Sequence, residues 1–236
     1  MSRQPPTRQP PPVQRLRLRY AKRGRARFAS QRDFARAFER ALRRAGVPMA
    51  YSSGFSPHPR ISYANACPTG AASEAEYLEI GLAERVEPGW AMGRLNEGLP
   101  QGFAIVAVAE ADGRPLADLL TASHWRLELP GVPFDVLRAA VEAFLARDHV
   151  SVERMTKNGP RVFDVRPAVV SLAATDAGVS LVSLAGTPLV RPDDVTHALE
   201  SVWPAAVPSA PAVFTRLAQG ALDGARVIDP FGPVVA

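Results

Sequence analysis

The segment from Tyr51 to Arg60 (YSSGFSPHPR) concentrates side chains that could act on a phosphate or a nucleobase. Prolines on either side of His58 restrict the backbone, so the imidazole and Arg60 would be held in place at little entropic cost. A guanidinium can pair with a phosphate, and an exposed aromatic ring can stack on a base. We therefore interpret the segment as a nucleic-acid contact in which Tyr51 or Phe55 stacks. A rigid connector whose His58 only caps a carbonyl is the alternative.

Arginine is concentrated at the beginning of the chain. Residues 1–60 contain 15 lysines and arginines against two acids, a net charge of +13, whereas residues 61–236 carry a net charge of −8. This asymmetry is typical of a basic patch that attracts polyanions, and no acid occurs in the first 32 residues to neutralise it. The predicted nucleic-acid-binding residues are Arg15, Arg17, Arg19, Arg23, Arg25, Arg27, Arg36, Arg40, Arg43, Arg44, Phe55, His58 and Arg60. If six to eight of these arginines contact phosphates, log affinity falls with log salt with a slope of roughly −4 to −7.

Side chains that could perform catalysis are few. His58 or Tyr51 could take the proton of a ribose 2′-hydroxyl while Arg60 stabilises the developing negative charge, as in a metal-independent endoribonuclease. The four histidines of the chain lack the spacing of metal ligands, and the single cysteine, Cys67, cannot hold an iron–sulfur cluster. We therefore expect no metal and no cofactor in this chain.

Two predicted elements would position the arginines. Gln14–Tyr20 alternates arginine with apolar residues, the period of a half-buried strand whose outer face would be a line of guanidiniums. Lys22–Phe28 predicts a turn followed by a short extended piece. Ser30 and Asp33 have the spacing of a capping box, and the helix that they start would end at Gly46 with its arginines opposite its apolar stripe.

The order of predicted elements in residues 13–111 is β-α-β-β-α-β, which is typical of the ferredoxin-like fold. The same order recurs in residues 123–222, where Arg161–Ala173 predicts a strand. The sequence therefore predicts an α+β protein of two tandem ferredoxin-like (βαββαβ) units. The remaining segments are a disordered basic tail at 1–12, a connector at 112–122 and a C-terminal tail at 223–236.

Basic residues in the second half of the chain are isolated. Asp164 alternates with Arg166, and a cross-strand ion pair would account for these basic positions. The alternative is that Lys157, Arg161, Arg166 and Arg216 line a groove between the two units.

The stretch from Leu16 to Leu82, with SQRDFARAFERALRRAG and YSSGFSPHPRIS, resembles the radical-SAM-linked protein family, a domain of unknown function. The second half resembles that family more loosely, at Arg154–Lys157 and Phe163–Pro167. Members occur beside or fused to B12-binding-type radical SAM proteins, so the resemblance implies that the iron–sulfur chemistry belongs to such a partner. The family usually has a histidine after the serine that begins the first helix. This chain has Gln31 there, which argues against a mechanism that needs that histidine.

These features predict a non-catalytic RNA-binding or substrate-presenting accessory protein that acts with a radical SAM enzyme, with transfer or ribosomal RNA as a candidate ligand. An endoribonuclease that uses His58 or Tyr51, and a scaffold that docks an acidic protein, are the alternatives. The chain has no apolar run long enough to cross a membrane, and its first twelve residues lack the apolar core of a signal peptide. Together with the single cysteine, this predicts a cytoplasmic protein without membrane contact.

Overall fold

The computed structural model of the chain describes residues 8–231, which divide into two compact units. The first unit comprises residues 8–119 and Phe231, and the second comprises residues 120–230. The boundary falls inside the predicted connector at 112–122. Residues 1–7 of the predicted N-terminal tail and residues 232–236 of the predicted C-terminal tail lie outside the described range. Within that range, no helix combines the length and the apolar character needed to cross a membrane.

The first unit consists of a sheet and two helices. Its elements are β1 (Gln14–Lys22), α1 (Gln31–Ala45), β2 (Ile61–Ala64), β3 (Ala72–Leu82), α2 (Pro88–Gly98) and β4 (Phe103–Glu110). The strands lie in the order β4-β1-β3-β2, and each is antiparallel to its neighbours within this unit. Alternate residues of β1 and β3 pack against α1 and α2 and form the core of the unit.

Helix α1 begins and ends where the sequence predicts. The Ser30 hydroxyl accepts a hydrogen bond from the Asp33 N–H, and the Asp33 carboxylate accepts one from the Ser30 N–H. Gly46 ends the helix in the left-handed conformation at φ 68°. The apolar stripe of the helix is buried, and the ring of Phe34 stacks on that of Tyr20 with centroids 3.9 Å apart.

The segment between β1 and α1 differs from the prediction. Residues Gly24–Phe28 form a 3-10 helix instead of an extended piece. Gly24 has φ 55°, a conformation that glycine adopts without steric cost and that lets the chain turn immediately after β1. The Ala29 N–H then donates to the Ala26 carbonyl and closes the segment.

The second unit also combines a sheet with two helices. Its elements are β5 (Ala122–Glu128), α3 (Phe134–Leu145), β6 (Ser151–Thr156), β7 (Gly159–Asp164), β8 (Val169–Thr175), β9 (Gly178–Leu184), α4 (Pro192–Val202), β10 (Val213–Asp223) and β11 (Arg226–Ile228). Four strands lie in the antiparallel order β10-β5-β9-β8, and β11 extends β10 as a hairpin. Strands β6 and β7 form a separate two-stranded sheet. The described residues are therefore a mixed α+β structure with mostly antiparallel strands and four α-helices.

The prediction of one strand over Arg161–Ala173 is wrong. Strand β7 ends at Asp164, a 3-10 helix covers Arg166–Ala168, and β8 then begins. Pro167 lies in the 3-10 helix, where its fixed φ and missing N–H interrupt the strand ladder. The carboxylate of Asp164 accepts the Arg166 N–H at 3.0 Å and stabilises the change of direction.

Candidate functional site

The arginines of β1 do not form an exposed line. Arg17 is only 3% exposed, and its guanidinium lies 3.3 Å from Glu79 and 2.8 Å from Asp112. Arg15 pairs with the other carboxylate oxygen of Glu79 at 3.0 Å, and Arg19 is half-buried. The prediction of an open line of guanidiniums on this face of β1 is therefore wrong at Arg17, whereas Arg15 remains exposed. Strand β3 and the chain after β4 place acids over this face.

The arginines around the 3-10 helix are partly neutralised. Arg23 donates two hydrogen bonds to Glu74, at 2.7 and 2.5 Å, and the pKa of its guanidinium is raised by this bond. The guanidinium of Arg27 lies over the exposed ring of Phe28, 4.6 Å from its centroid. Arg25 is exposed and forms no ion pair among residues 8–231. Strand β3 thus supplies an acid for Arg23, whereas Arg25 and Arg27 form no ion pair within the described part of the chain.

Helix α1 carries a separate set of arginines, which we call the α1 stripe: Arg36, Arg40, Arg43 and Arg44. All four side chains are exposed. Only Arg43 approaches an acid, Glu39, at 3.9 Å, and the other three form no ion pair within the described part of the chain. Spacings of three and four residues place them on one face, where like charges repel and destabilise the helix by a few tenths of a kcal/mol per pair. Arg43 and Arg44 lie in the last turn, where positive charge stabilises a helix, but Arg36 and Arg40 gain no such interaction.

The loop from Tyr51 to Arg60 is closed by its own backbone. The Ser52 N–H donates to the His58 carbonyl at 2.8 Å, and the His58 N–H donates to the Ser52 hydroxyl at 3.0 Å. Arg60 donates from Nε to the Tyr51 carbonyl at 3.0 Å. The ring of Phe55 is 69% exposed, and Tyr51 and His58 are also exposed. The loop thus holds its aromatic side chains on a backbone that is already ordered.

A small hollow of about 70 Å³ connects the α1 stripe to this loop. Its walls include Glu39 and Arg43 from α1, Gly46 at the helix end, and Tyr51 and Pro59 from the loop. Arg43 and the exposed residue Tyr51 therefore line the same depression. The structure brings together the last turn of the α1 stripe and the aromatic loop, which are separate in the sequence.

The predicted basic positions of the second unit lie on different elements. Lys157 lies in the turn between β6 and β7, and Arg161 is exposed on β7. Arg166 donates to the carbonyls of Arg147 and Val169, at 3.1 and 3.2 Å. These hydrogen bonds fix the Arg166 guanidinium against its own unit.

Arg216 is buried within the second unit. Its guanidinium lies 4.7 Å from the centroid of the Trp125 ring and donates to Gln219 at 3.1 Å. Both neighbours belong to the sheet, so the side chain contributes to the packing of β5 against β10.

The side chain of Asp164 pairs with a histidine and not with the guanidinium of Arg166. The Asp164 carboxylate binds His149 Nδ1 at 2.7 Å and accepts the Val150 N–H at 2.9 Å, while the Arg166 guanidinium turns to carbonyls. Burial acts to raise the pKa of Asp164, but the hydrogen bonds, first that of His149, lower it by more. Sequence reasoning missed this histidine–aspartate pair, because the two residues are separated by the whole β6–β7 hairpin in sequence and only the pairing of its strands brings them together.

The other titratable candidates have local roles. His124 Nε2 lies 2.9 Å from the Ser180 hydroxyl, and burial lowers the pKa of its imidazole. Cys67 is buried, and its N–H donates to Glu76 at 2.9 Å. Within residues 8–231, no three histidine, cysteine or acidic side chains are grouped so that they could hold a metal ion.

Residues 15–199 match the model of a protein family described as "Uncharacterized protein conserved in bacteria (DUF2344)". The match spans both compact units and covers well over half of the chain. No curated protein matches the chain.

Proposed function

We propose that this chain, which belongs to the uncharacterised bacterial family DUF2344, is a non-catalytic accessory protein that binds RNA through its first unit. The contact surface is the α1 stripe together with the loop from Tyr51 to Arg60. The observation that carries the proposal is the hollow that Arg43 and Tyr51 line together, both with exposed side chains. Phosphate and base of one nucleotide could occupy these two groups together.

Exposed arginines alone would bind any polyanion, but exposed aromatic rings favour unpaired bases. Tyr51 and Phe55 project from an ordered loop, so stacking on them costs little conformational entropy. Bases are accessible for stacking in single-stranded segments, loops and bulges, whereas duplex RNA buries them. We therefore infer a preference for single-stranded regions of transfer or ribosomal RNA.

The burial of Arg17 and the pairing of Arg15 and Arg23 reduce the expected number of phosphate contacts. With the four arginines of the α1 stripe, the slope of log affinity against log salt should be about −3. This is shallower than the slope expected if every arginine near the beginning of the chain bound phosphate.

A filter-binding salt titration tests the proposal, with transfer RNA, a single-stranded oligoribonucleotide and poly-glutamate as ligands. The double variant Arg40→Ala/Arg44→Ala should weaken RNA binding and make the slope shallower by about two. Arg138→Ala/Arg147→Ala removes the same charge from the second unit and should leave RNA binding unchanged. Equal effects of the two double variants would overturn the proposed surface.

The same samples separate the alternatives. Tighter binding to poly-glutamate than to RNA would favour a scaffold for an acidic protein. Cleavage of RNA in the presence of EDTA, abolished by His58→Ala, would favour an endoribonuclease. Intact RNA that is bound with the expected salt slope supports the accessory role.

We further propose that the protein presents its RNA to a B12-binding-type radical SAM protein in the cytoplasm. The support is the resemblance of the stretch from Leu16 to Leu82 to the radical-SAM-linked family. The chain itself has one cysteine, whereas an iron–sulfur cluster is held by several thiolates. Affinity purification of the tagged protein from its own bacterium should retain a radical SAM protein, and purification without one would contradict the partnership.

We also infer that each unit is a ferredoxin-like module. The first unit supports this inference by its element order β-α-β-β-α-β and its strand order β4-β1-β3-β2. The second unit repeats that arrangement as β10-β5-β9-β8 if the β6–β7 hairpin is regarded as an insertion after α3.

A further inference from the structure

The sheet of the first unit has a polar cleft on the face opposite α1. The cleft has a volume of about 570 Å³, and a hollow of about 250 Å³ adjoins it. Arg15, Ser62 and Glu79 line both. These three side chains point away from the core, because their neighbours in sequence, such as Leu16 and Ile80, face the helices.

Three arginines line the two spaces and are fixed by bonds that use only part of each guanidinium. Arg15 donates from Nη1 to Glu79 at 3.0 Å, and Arg60 donates from Nε to a loop carbonyl. Arg114 donates from Nε to Asp112 at 2.6 Å. Each keeps further N–H groups without a partner in the described part of the chain. Guanidiniums that are already oriented lose little entropy when an anion binds.

The charges around the cleft do not balance. Besides the three lining arginines, Arg17 lies beneath the same face, which makes four guanidiniums. Only two acids, Glu79 and Asp112, pair with them. These four guanidiniums and two carboxylates together have a net charge of +2, which a phosphate monoester would match.

We propose that this cleft binds a phosphate monoester of the size of a nucleoside monophosphate, either free or at the end of an RNA chain. The phosphate would lie at Arg15, which lines both spaces, with Arg114 on the side of the cleft and Arg60 on the side of the adjoining hollow. Each guanidinium can offer N–H groups in the planar geometry that suits phosphate oxygens. Pro115 and Ala117 provide an exposed apolar wall for the remainder of the ligand. The volume lies within the range of small-molecule sites. The cleft lies on the sheet face opposite the α1 stripe, and Arg60 is the one residue that it shares with the proposed RNA surface.

Isothermal titration with nucleoside monophosphates, the matching nucleosides and inorganic phosphate tests this site. Monophosphates should bind at least tenfold more tightly than nucleosides, and Arg114→Gln should weaken their binding at least tenfold. Arg114→Lys keeps the charge and should retain part of the affinity. Arg40→Gln/Arg44→Gln, which targets the RNA surface, should leave nucleotide binding unchanged.

A displacement experiment distinguishes a free nucleotide from the phosphorylated end of an RNA as the ligand of the cleft. Oligoribonucleotides with and without a 5′-phosphate are used to displace a bound monophosphate. Displacement by the phosphorylated form alone assigns the cleft to an RNA end, and displacement by neither assigns it to a free nucleotide. Both results support the proposal. Equal affinity for nucleosides and monophosphates, or binding that is insensitive to Arg114→Gln, would overturn it whether or not the α1 stripe binds RNA.

Discussion

The guanidinium of Arg17 lies 2.8 Å from the carboxylate of Asp112. Arg17 belongs to β1 and Asp112 follows β4, so the ion pair ties the chain after β4 to the sheet. A hydrogen bond from Arg17 to the Arg114 carbonyl adds to this attachment. The attached segment continues into Pro115 and Ala117, which line the cleft. An arginine that the alternating pattern assigns to solvent therefore positions a wall of a binding site.

Replacing Arg17 should destabilise the first unit. Removing one partner of a buried ion pair leaves the other charge poorly solvated, but Glu79 and Asp112 each keep a second arginine. We therefore expect Arg17→Met to lower the free energy of unfolding by about 2 kcal/mol, below the full cost of breaking a buried pair. Urea unfolding followed by circular dichroism measures the change. Arg44→Met, an exposed control, should be nearly neutral, and equal stability of the two variants would contradict the burial of Arg17.

The same attachment should make the stability of the first unit depend on pH in acid. The hydrogen bond from the Arg114 side chain lowers the pKa of Asp112 to about 2. Because the pKa is lower in the folded protein, the stabilisation is complete above the ordinary carboxyl pKa and is lost as the pH falls towards 2. Urea midpoints measured over this interval should fall more steeply for the wild type than for Asp112→Asn. Parallel curves would show that Asp112 does not contribute to the pH dependence of stability.

Local interactions explain why α1 was predictable. The capping box of Ser30 and Asp33 and the left-handed Gly46 involve residues close in sequence, so their spacing is sufficient to define both helix ends. The burial of Arg17 depends on Glu79 and Asp112, which only the pairing of β1 with β3 and β4 brings near. A pattern of period two indicates which residues share a face but not what covers that face.

Removal of a buried hydroxyl should raise the stability of the first unit, in contrast to the replacement of Arg17. The Tyr63 hydroxyl is buried and has no hydrogen-bond partner among residues 8–231. Burial, with a smaller effect of Glu39, raises the pKa of the phenol, which therefore remains protonated. Tyr63→Phe should stabilise the first unit by about 1 kcal/mol, because it removes an unsatisfied polar group and keeps the ring against Phe34.

Urea unfolding of Tyr63→Phe measures this gain in stability, with Tyr20→Phe as the matched control. The Tyr20 hydroxyl donates to Gln31 at 3.4 Å, so Tyr20→Phe should be neutral or destabilising. A loss of stability in Tyr63→Phe would contradict the prediction, because it would show that the hydroxyl forms a stabilising hydrogen bond.

The candidate site was partly predictable for the same reasons. The helical spacing of the α1 stripe and the aromatic residues of the loop could be read from the sequence. Their meeting at Arg43 and Tyr51 could not, because it depends on how the chain returns to β3 after α1. The pairing of Arg23 with Glu74 likewise depends on the register of β1 against β3.

The meeting of Arg43 and Tyr51 makes a prediction for RNA binding. A base stacked on an aromatic side chain contributes about 1–3 kcal/mol by alanine substitution, so Tyr51→Ala should weaken binding of a single-stranded oligoribonucleotide about tenfold. Its salt slope should not change, because no phosphate contact is removed. Arg43→Gln should weaken binding and also make the slope shallower by about one. Fluorescence anisotropy with a labelled oligoribonucleotide measures both.

Two control variants test whether a loss of affinity in Tyr51→Ala comes from lost base stacking or from the removal of any exposed ring. Tyr51→Phe keeps the ring and should keep the affinity. Phe28→Ala removes a ring of similar exposure that lies beside Arg27 and outside the hollow, so it should also leave the affinity unchanged. If Tyr51→Ala binds as tightly as the wild type, no base stacks in the hollow beside Arg43. Phe55→Ala then tests the other exposed ring of the loop, and unchanged affinity in both variants would mean that the arginines alone account for RNA binding.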